Sequence, residues 1–326
     1  MIQSLRYAIW DAIYESMNED ESIFILGEGA RVKCSFDYPA ILNRFPERVV
    51  TAPVAEAGIV NVALGAALNG ARPIVDLTFD DLSLRAAEEI INQVAKAHFM
   101  TAGKLKARVV IKADFNRPEN CQSGSRWEAL FLHSPGIRVY IPSTPRDARL
   151  MMRAALSGED PVIFFEDRII DFPQDIEVPS RQTHDHSIGL ASTLVKGDKL
   201  TVVSFGYGVH LVRQALEQLG APGAVEVIDL RTLNPLDIDT VKDSVSRTGR
   251  LLTVECGQAE FGIGAELAAR VSQDCFHQMS RPPVRLGMKK GLFPAAPSLQ
   301  QALLPSVEQV HLTMKELLGG GEVPWN

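Results

Sequence analysis

Short runs of Val, Ile and Phe alternate along this chain with longer segments in which apolar residues recur at the period of an α-helix. Leu5, Ile9, Ile13 and Met17 have this helical spacing, and an apolar run follows them at 23–26. Apolar runs without polar alternation are typical of strands that helices cover on both faces. The pattern therefore predicts an α/β fold in which mainly parallel sheets are flanked by helices.

The chain has 326 residues, about twice the length of a typical domain, so we expect two domains, each with its own core. The alternation lapses in a polar, proline-containing stretch that has no periodicity. We interpret this stretch as a linker at 171–190, which separates a first α/β domain at 1–170 from a second α/β domain at 191–326.

The hydrophobic pattern also predicts the individual elements. In the first domain we expect helices near 2–19, 37–45, 56–68, 83–98 and 145–156, and strands at 23–26, 48–50, 73–77, 108–111, 139–141 and 162–165. In the second domain we expect helices near 208–218, 236–246, 263–278 and 299–318, and strands at 200–204, 225–230, 251–255 and 284–286.

Composition argues against several classes of protein. The formal net charge is −7 and the basic residues are scattered, so nucleic acid is not an expected partner. No apolar run approaches the roughly 20 residues of a membrane-spanning helix, and the first residues do not resemble a targeting peptide. We therefore expect a cytoplasmic protein without a membrane partner. The cysteines are far apart and lack the spacing of a zinc site, which favours ordinary thiols at Cys34, Cys121, Cys256 and Cys275.

Polar residues just beyond the predicted strands are candidates for a site, because ligands of open parallel α/β sheets bind at the carboxyl ends of the strands. Glu28 follows the first long strand, and Glu56 begins a helix built mainly of small and aliphatic residues. A glutamate in a first helical turn also complements the helix dipole without any further function, and Glu28 can equally be a solvated loop carboxylate. Position alone leaves both interpretations open.

Several motifs point to a known family. Residues 51–58, Thr-Ala-Pro-Val-Ala-Glu-Ala-Gly, are similar to the Thr-Pro-Ile-x-Glu-x-Gly motif of the β subunits of thiamine-diphosphate-dependent 2-oxo acid dehydrogenases. Other similar segments keep the family's order and spacing, at 45–49, 89–96, 133–136, 141–148, 160–166, 227–237 and 262–266. The chain thus resembles this transketolase-like family over nearly its whole length. The resemblance implies a pyrimidine-binding α/β domain followed by a transketolase C-terminal-type α/β domain.

The resemblance also implies roles for individual residues. The family's glutamate, here Glu56, hydrogen-bonds N1′ of the thiamine aminopyrimidine and so helps to activate the cofactor. Glu28 is expected near the same ring, where it can relay protons, and Thr78 is expected at the cofactor. His133 has a counterpart in the family and is the remaining candidate for a catalytic imidazole.

Two expected cofactor contacts depart from the family pattern. Alignment back from Glu128 puts Ser123 where the family has an active-site histidine, and serine hydrogen-bonds but does not donate protons near neutral pH as histidine does. Leu82 stands where the family has Phe or Tyr against the aminopyrimidine. An aliphatic side chain still covers the ring, at a cost of order 1 kcal/mol in lost aromatic geometry.

The family's diphosphate site requires magnesium held by a Gly-Asp-Gly motif and a later asparagine. Gly197-Asp198-Lys199 lacks both the second glycine and the asparagine, so we expect no metal ligands on this chain. In the family these ligands belong to a separate α subunit, and the cofactor is shared with it. The resemblance therefore implies thiamine diphosphate shared with an α subunit that holds Mg²⁺, in an α2β2 assembly, with a lipoyl acyltransferase or carrier protein as acceptor.

Three functions agree with these observations. The first is a β subunit that takes part in decarboxylation of a 2-oxo acid and passes the acyl unit to a lipoyl or carrier domain. The second is a split transketolase-like enzyme that transfers a two-carbon ketol or acyl unit, which the replacement of the histidine by Ser123 keeps open. The third is a non-catalytic partner subunit, against which the retained Glu56 argues.

Overall fold

The computed structural model describes residues 2–78, 83–115, 124–170, 174–175, 188–221 and 223–319. They divide into two compact units. The first unit contains the described residues up to 115 and those from 130 to 188, and the second contains 124–129 and those from 189 onwards. The second unit is therefore not continuous in sequence, because 124–129 group with it.

The first unit is built on a parallel sheet. Its strands in chain order are β1 (Ile2–Gln3), β2 (Ile23–Glu28), β3 (Val49–Ala52), β4 (Arg72–Asp76), β5 (Val110–Phe115), β6 (Arg138–Tyr140), β7 (Val162–Asp167) and β8 (Gln174–Asp175). The spatial order is β6-β7-β5-β4-β2-β3, and all neighbours in this series are parallel. The short strands β1 and β8 pair antiparallel to each other. Every residue of β5 and β7 is buried, as expected for a sheet covered on both faces.

The helices up to position 157 are α1 (Leu5–Glu19), α2 (Ala30–Asp37), α3 (Pro39–Arg44), α4 (Glu56–Leu68), α5 (Ala95–Met100), α6 (Glu128–Phe131) and α7 (Pro145–Ser157). Helix α1 begins after Ser4, whose hydroxyl accepts the N–H of Tyr7 at 3.2 Å. Helix α7 begins in the same way after Thr144, with a proline at its first position. Arg149 on α7 forms ion pairs with Asp11 and Glu15 on α1, which joins the two helices.

The helical segment 83–100 is irregular. It contains a 3₁₀ turn at Leu84–Ala86 and a π-helix at Glu89–Val94, and it ends with α5. A π-helix accommodates extra backbone in a turn and is frequently found at functional sites.

The second unit contains a five-stranded sheet. Its strands are β9 (Ser192–Val195), β10 (Leu200–Ser204), β11 (Val225–Asp229), β13 (Leu251–Gln258) and β14 (Val284–Met288), and β12 (Thr232–Asn234) follows β11 in the chain. The spatial order is β14-β13-β10-β11-β9, with only β9 antiparallel to its neighbour. The helices are α8 (Tyr207–Leu219), α9 (Ile238–Thr248), α10 (Ile263–Asp274), α11 (Pro297–Leu303) and α12 (Val307–Gly319). Apolar residues of β10, β11, β13, α8 and α12 form its core.

The predicted α/β class and most predicted elements are confirmed, but three predictions are wrong. The single helix expected at 299–318 is two helices, because Pro305 lies between them and cannot continue the hydrogen-bonding of α11. Strand β5 does not end at 111 but continues to Phe115. Helix α2 was not predicted, and the expected helix at 37–45 is the shorter α3, which begins after Tyr38.

Two further observations concern the cysteines and membranes. Cys34, Cys256 and Cys275 are buried and form no disulfide among the described residues, and Cys121 lies outside those residues. No helix in the described parts of the chain is both long enough and apolar enough to cross a membrane.

Candidate active site at the edge of the first sheet

The carboxyl ends of β2, β3 and β4 bring three of the predicted site residues to one edge of the first sheet. Glu28 is the last residue of β2 and is paired with Ala52 of β3. Glu56 begins α4 four residues after β3 ends, and Thr78 follows β4 by two residues. Because these strands are parallel and adjacent, their carboxyl ends point to the same side of the unit, where ligands of such sheets bind.

Glu56 is the buried carboxylate of this edge. Its side chain is 2% exposed, although it belongs to the first turn of a helix. Neither carboxylate oxygen has a hydrogen-bond partner among the described residues. Buried polar atoms are almost always hydrogen-bonded in folded proteins. The carboxylate of Glu56 can therefore accept or share a proton with a ligand group, and it fits the ring nitrogen of an aminopyrimidine.

Arg85 is the only described cationic partner of Glu56. Its Nε lies 3.0 Å from Glu56 Oε2, but the pair lacks the alignment of a hydrogen bond. The two side chains differ greatly in exposure, since that of Arg85 is 64% exposed and that of Glu56 is 2% exposed. Nothing in the sequence indicated this pair, because Arg85 lies in the 3₁₀ turn before the π-helix, far from Glu56 in the chain.

Thr78 has a strained backbone. Its φ of 65° lies in the left-handed region, which a β-branched residue rarely adopts. Asp76, at the end of β4, stabilises this conformation because its Oδ1 accepts the Thr78 N–H at 3.1 Å. The same oxygen accepts Lys33 Nζ at 2.8 Å, which connects α2 to this edge. Asp76 and Lys33 were not predicted as site residues, and their hydrogen bonds position the backbone at this edge.

Gly27 allows β2 and β4 to approach closely at the same edge. A Cβ atom at this position would lie 2.4 Å from the carbonyl oxygen of Asp76, a distance that real Cβ atoms do not show. The residue before Glu28 is therefore required to be glycine. This requirement gives a structural reason for the Gly-Glu sequence that ends β2.

A buried ion cluster lies within the sheet beneath this edge. Lys112 is fully buried, with Nζ 2.5 Å from Asp114 Oδ1 and 2.6 Å from Glu166 Oε2. Burial alone would lower the pKa of Lys112, but the charges of Asp114, Glu166 and Asp76 raise it well above its ordinary value. The strand expected at 108–111 left Asp114 out, yet it is a completely buried residue of β5.

Opposing effects also act on the pKa of Asp114. Burial raises it, but Lys112, Lys33 and Arg168 outweigh burial, so the pKa of this carboxyl is well below its ordinary value. Asp114 and Lys112 therefore both remain charged at neutral pH. This mutual neutralisation explains why a strand can carry two ionised residues in its interior.

The predicted site residues other than Glu56 and Thr78 differ from Glu56 in exposure or in position. Glu28 is exposed. His133 is also exposed and lies in a turn before β6, whereas the other described candidates follow the ends of strands. Its catalytic role stays a prediction. Leu82 and Ser123 lie outside the described residues.

The second unit has a pair of buried glutamates that the sequence did not indicate. Glu128 and Glu255 are 4% and 2% exposed. Burial and the charge of Glu128 raise the pKa of Glu255 to about 8, although the N–H of Gly264 and the charge of Arg285 oppose the shift. Gly257 permits the approach of Glu128, because a Cβ there would lie 2.8 Å from Glu128 Oε1.

Both units match known domains. Residues 3–170 match the family described as transketolase, pyrimidine binding domain, and residues 189–310 match transketolase, C-terminal domain. The chain belongs to the transketolase-like family that includes the β subunits of 2-oxo acid dehydrogenases. The resemblance proposed from motifs is therefore confirmed.

Curated relatives are similar in sequence to this chain over most of its length. The β subunit of the pyruvate dehydrogenase E1 component from Rhizobium meliloti is 36% identical, over 94% of this chain and 68% of its own length. The 2-oxoisovalerate dehydrogenase β subunit from Bacillus subtilis is 34% identical, over 94% of this chain and 95% of its own length. Pyruvate dehydrogenase E1 β from Rickettsia bellii is 32% identical, covering 96% of this chain and 98% of itself.

Solved structures support the fold. A split-gene transketolase described as an inactive β4 tetramer has a TM-score of 0.80 and 23% identity, covering 97% of this chain and 98% of its own. Transketolase from Leishmania mexicana has a TM-score of 0.71 and 19% identity, covering 99% of this chain and 47% of its own. The two-domain α/β architecture is thus that of transketolase-like proteins.

Proposed function

We propose that this chain is the β subunit of a thiamine-diphosphate-dependent enzyme that decarboxylates a 2-oxo acid and passes the acyl unit to a lipoyl or carrier domain. The observation that carries the proposal is the carboxylate of Glu56, which is buried, begins a helix at the sheet edge and lacks a hydrogen-bond partner among the described residues. When bound, thiamine diphosphate supplies the nucleophilic carbon that attacks a 2-oxo group and holds the electrons of decarboxylation.

The residues of this chain hold and activate the aminopyrimidine half of the cofactor. Glu56 shares a proton with the ring nitrogen N1′, and its enclosure excludes water from that hydrogen bond. Thr78 contributes the strained turn after β4, which Asp76 fixes before any ligand binds. By its place in the sequence Leu82 is proposed to stand where the family's aromatic residue covers the ring, and Glu28, which is exposed at the same edge, is proposed to relay protons.

Ser123, which is also an expected cofactor contact, and His133 bear on the choice of substrate. Ser123 aligns with a family histidine that it can replace only as a hydrogen-bonding group, and no histidine occurs between His98 and His133. We retain His133 as the candidate proton donor. His133→Asn is expected to lower turnover without changing cofactor affinity, and unchanged turnover would remove His133 from the catalytic residues.

Glu56→Gln tests the central assignment. The glutamine keeps the size of the side chain but cannot exchange a proton with N1′, so turnover of the complex with the α subunit is expected to fall by about a hundredfold or more. Glu47→Gln is the matched control, because Glu47 is exposed in a turn of the same unit. Full thiamine-dependent turnover of the Glu56→Gln complex would contradict the proposal.

The proposed partner subunit follows from the incomplete metal-binding motif in the sequence of this chain. Gly197-Asp198-Lys199 is an incomplete version of the motif that holds Mg²⁺ and the diphosphate, so a separate α subunit with a complete motif is proposed, in an α2β2 assembly. A lipoyl acyltransferase or carrier protein receives the acyl unit, and the cytoplasm is the proposed location. Co-expression with the α chain, followed by mass measurement in solution, tests the assembly.

A split transketolase-like activity is the second candidate, and Ser123 is the observation that favours it. The serine replaces the histidine with which the family carries out acyl transfer. Turnover of the reconstituted complex with pyruvate, branched 2-oxo acids and ketose phosphates separates the two activities. A complex that binds the cofactor but turns over none of these substrates would support the non-catalytic alternative.

A further inference from the structure

Glu56 and Arg85 form an ion pair in which one side chain is buried and the other is exposed. The carboxylate is enclosed, whereas the guanidinium is 64% exposed and reaches the carboxylate from the 3₁₀ turn at Leu84–Ala86. The 3.0 Å approach provides charge attraction without an aligned hydrogen bond, so both carboxylate oxygens keep their capacity to bind a donor. Arg85 thus balances the charge of Glu56 but leaves its oxygens able to accept hydrogen bonds.

An exposed guanidinium is easily displaced. It regains its hydration when it leaves a carboxylate, and ion pairs with an exposed partner contribute little net free energy. A buried carboxylate left alone, in contrast, is costly. The ion pair with Arg85 therefore stabilises the chain mainly in the state in which no ligand donor binds Glu56.

We propose that Arg85 is a removable counter-ion of Glu56. In the cofactor-free chain Arg85 pairs with the carboxylate, and it withdraws to solvent when the ring nitrogen of the aminopyrimidine binds Glu56. This inference rests on the proposed function and adds a residue to the same site. Arg85 is a positioning residue, because it acts through Glu56 and not on the reacting atoms.

A thermodynamic consequence distinguishes this role from simple support of the fold. Replacing Arg85 with glutamine removes a stabilising contact from the cofactor-free state but not from the loaded state. The substitution is therefore expected to lower the unfolding temperature of the cofactor-free complex and to tighten thiamine diphosphate binding by about fivefold. A residue that only supports the bound site would weaken binding instead.

The experiment is a titration of thiamine diphosphate, at saturating Mg²⁺, into the complex of this chain with its α subunit, measured by calorimetry. Arg247→Gln is the matched control, because Arg247 is 58% exposed and pairs at 2.6 Å with Glu226, whose side chain is 4% exposed, in the second unit. We expect tighter binding for Arg85→Gln and unchanged binding for Arg247→Gln.

A double-mutant cycle assigns the effect to the pair. In the Glu56→Gln background the carboxylate is absent, so Arg85→Gln is expected to leave the dissociation constant unchanged. Equal or weaker binding by the Arg85→Gln complex, or the same gain in the Glu56→Gln background, would overturn the inference and leave the proposed function intact. Absence of binding by the unsubstituted complex would overturn the proposed function, and this inference with it.

Discussion

Lys112 Nζ and Glu166 Oε2 lie 2.6 Å apart in the interior of the first sheet, on the neighbouring strands β5 and β7. Asp114 completes the contact at 2.5 Å from the same Nζ. Lys112→Met would leave two buried carboxylates without their shared cation. Loss of one partner from a buried ion pair typically costs about 3–5 kcal/mol, so we expect a decrease of that size in the free energy of unfolding by urea.

Lys242→Met is the control for this prediction. Lys242 Nζ lies 2.7 Å from Asp274 Oδ2, but the side chains are 25% and 39% exposed. Its loss is expected to cost far less than the loss of Lys112, because solvent screens the pair. Equal effects of the two substitutions would show that burial of the Lys112 cluster does not determine its contribution.

The raised pKa of Glu255 predicts that the stability of the chain depends on pH. Its pKa is about 8 in the folded chain against an ordinary value of 4.5, so the folded chain binds more protons than the unfolded chain between these values. This group therefore makes the free energy of unfolding fall as pH rises through that window, by about 1.4 kcal/mol per pH unit. Glu255→Gln, which is neutral throughout, is expected to flatten the decrease in urea unfolding measured from pH 5 to pH 8.

Glu266→Gln provides the comparison, because the Glu266 side chain is 58% exposed in the same unit. This variant is expected to retain the pH dependence of the unsubstituted chain. Identical slopes for the unsubstituted chain and Glu255→Gln would contradict the raised pKa.

Gly136 and Gly65 give opposite predictions for the same change to alanine. A Cβ at Gly136 would lie 1.9 Å from the carbonyl oxygen of Ala95, so alanine forces the backbone apart, at a cost of about 1–3 kcal/mol. A Cβ at Gly65 meets nothing within 4 Å, and alanine there is expected to stabilise α4 by roughly 0.5–1 kcal/mol. Thermal unfolding of the isolated chain measures both, and a neutral Gly136→Ala would contradict the close packing.

Cofactor-dependent stabilisation tests the division of the site between two chains. Thiamine diphosphate with Mg²⁺ is expected to raise the unfolding temperature of the complex with the α subunit, because a ligand that binds only the folded state stabilises it. The isolated chain, which lacks the proposed metal motif, is expected to show no shift at the same concentrations. A shift of equal size in the isolated chain would mean that it binds the cofactor alone.

Sequence reasoning located Glu56 because its position depends on local signals. A strand at 48–50, a proline, and then a helical run of small residues predict a carboxylate at the start of a helix, and the structure has α4 beginning at Glu56. The family motif then supplied the chemistry that position alone left open. Both lines of reasoning depend on residues that are neighbours in the chain.

The contacts that complete the site could not be predicted in this way. Arg85 approaches Glu56 only because the segment after β4 folds against α4, and no local pattern contains that information. Strand β5 was predicted to end too early because Lys112 and Asp114 look like surface residues. Their charges cancel only after Glu166 and Lys33 arrive from distant parts of the chain.

The π-helix at Glu89–Val94 restricts how the length of this chain can vary. Arg85 and Ala95 lie on either side of it, and each contacts a distant part of the unit, Arg85 pairing with Glu56 in the cofactor-free chain and the Ala95 carbonyl packing against Gly136. In an α-helix each residue adds a rotation of about 100°, so a single deletion within this turn would rotate one contact away from the other. Insertions and deletions are therefore expected to be less tolerated here than substitutions that keep the spacing of these two residues.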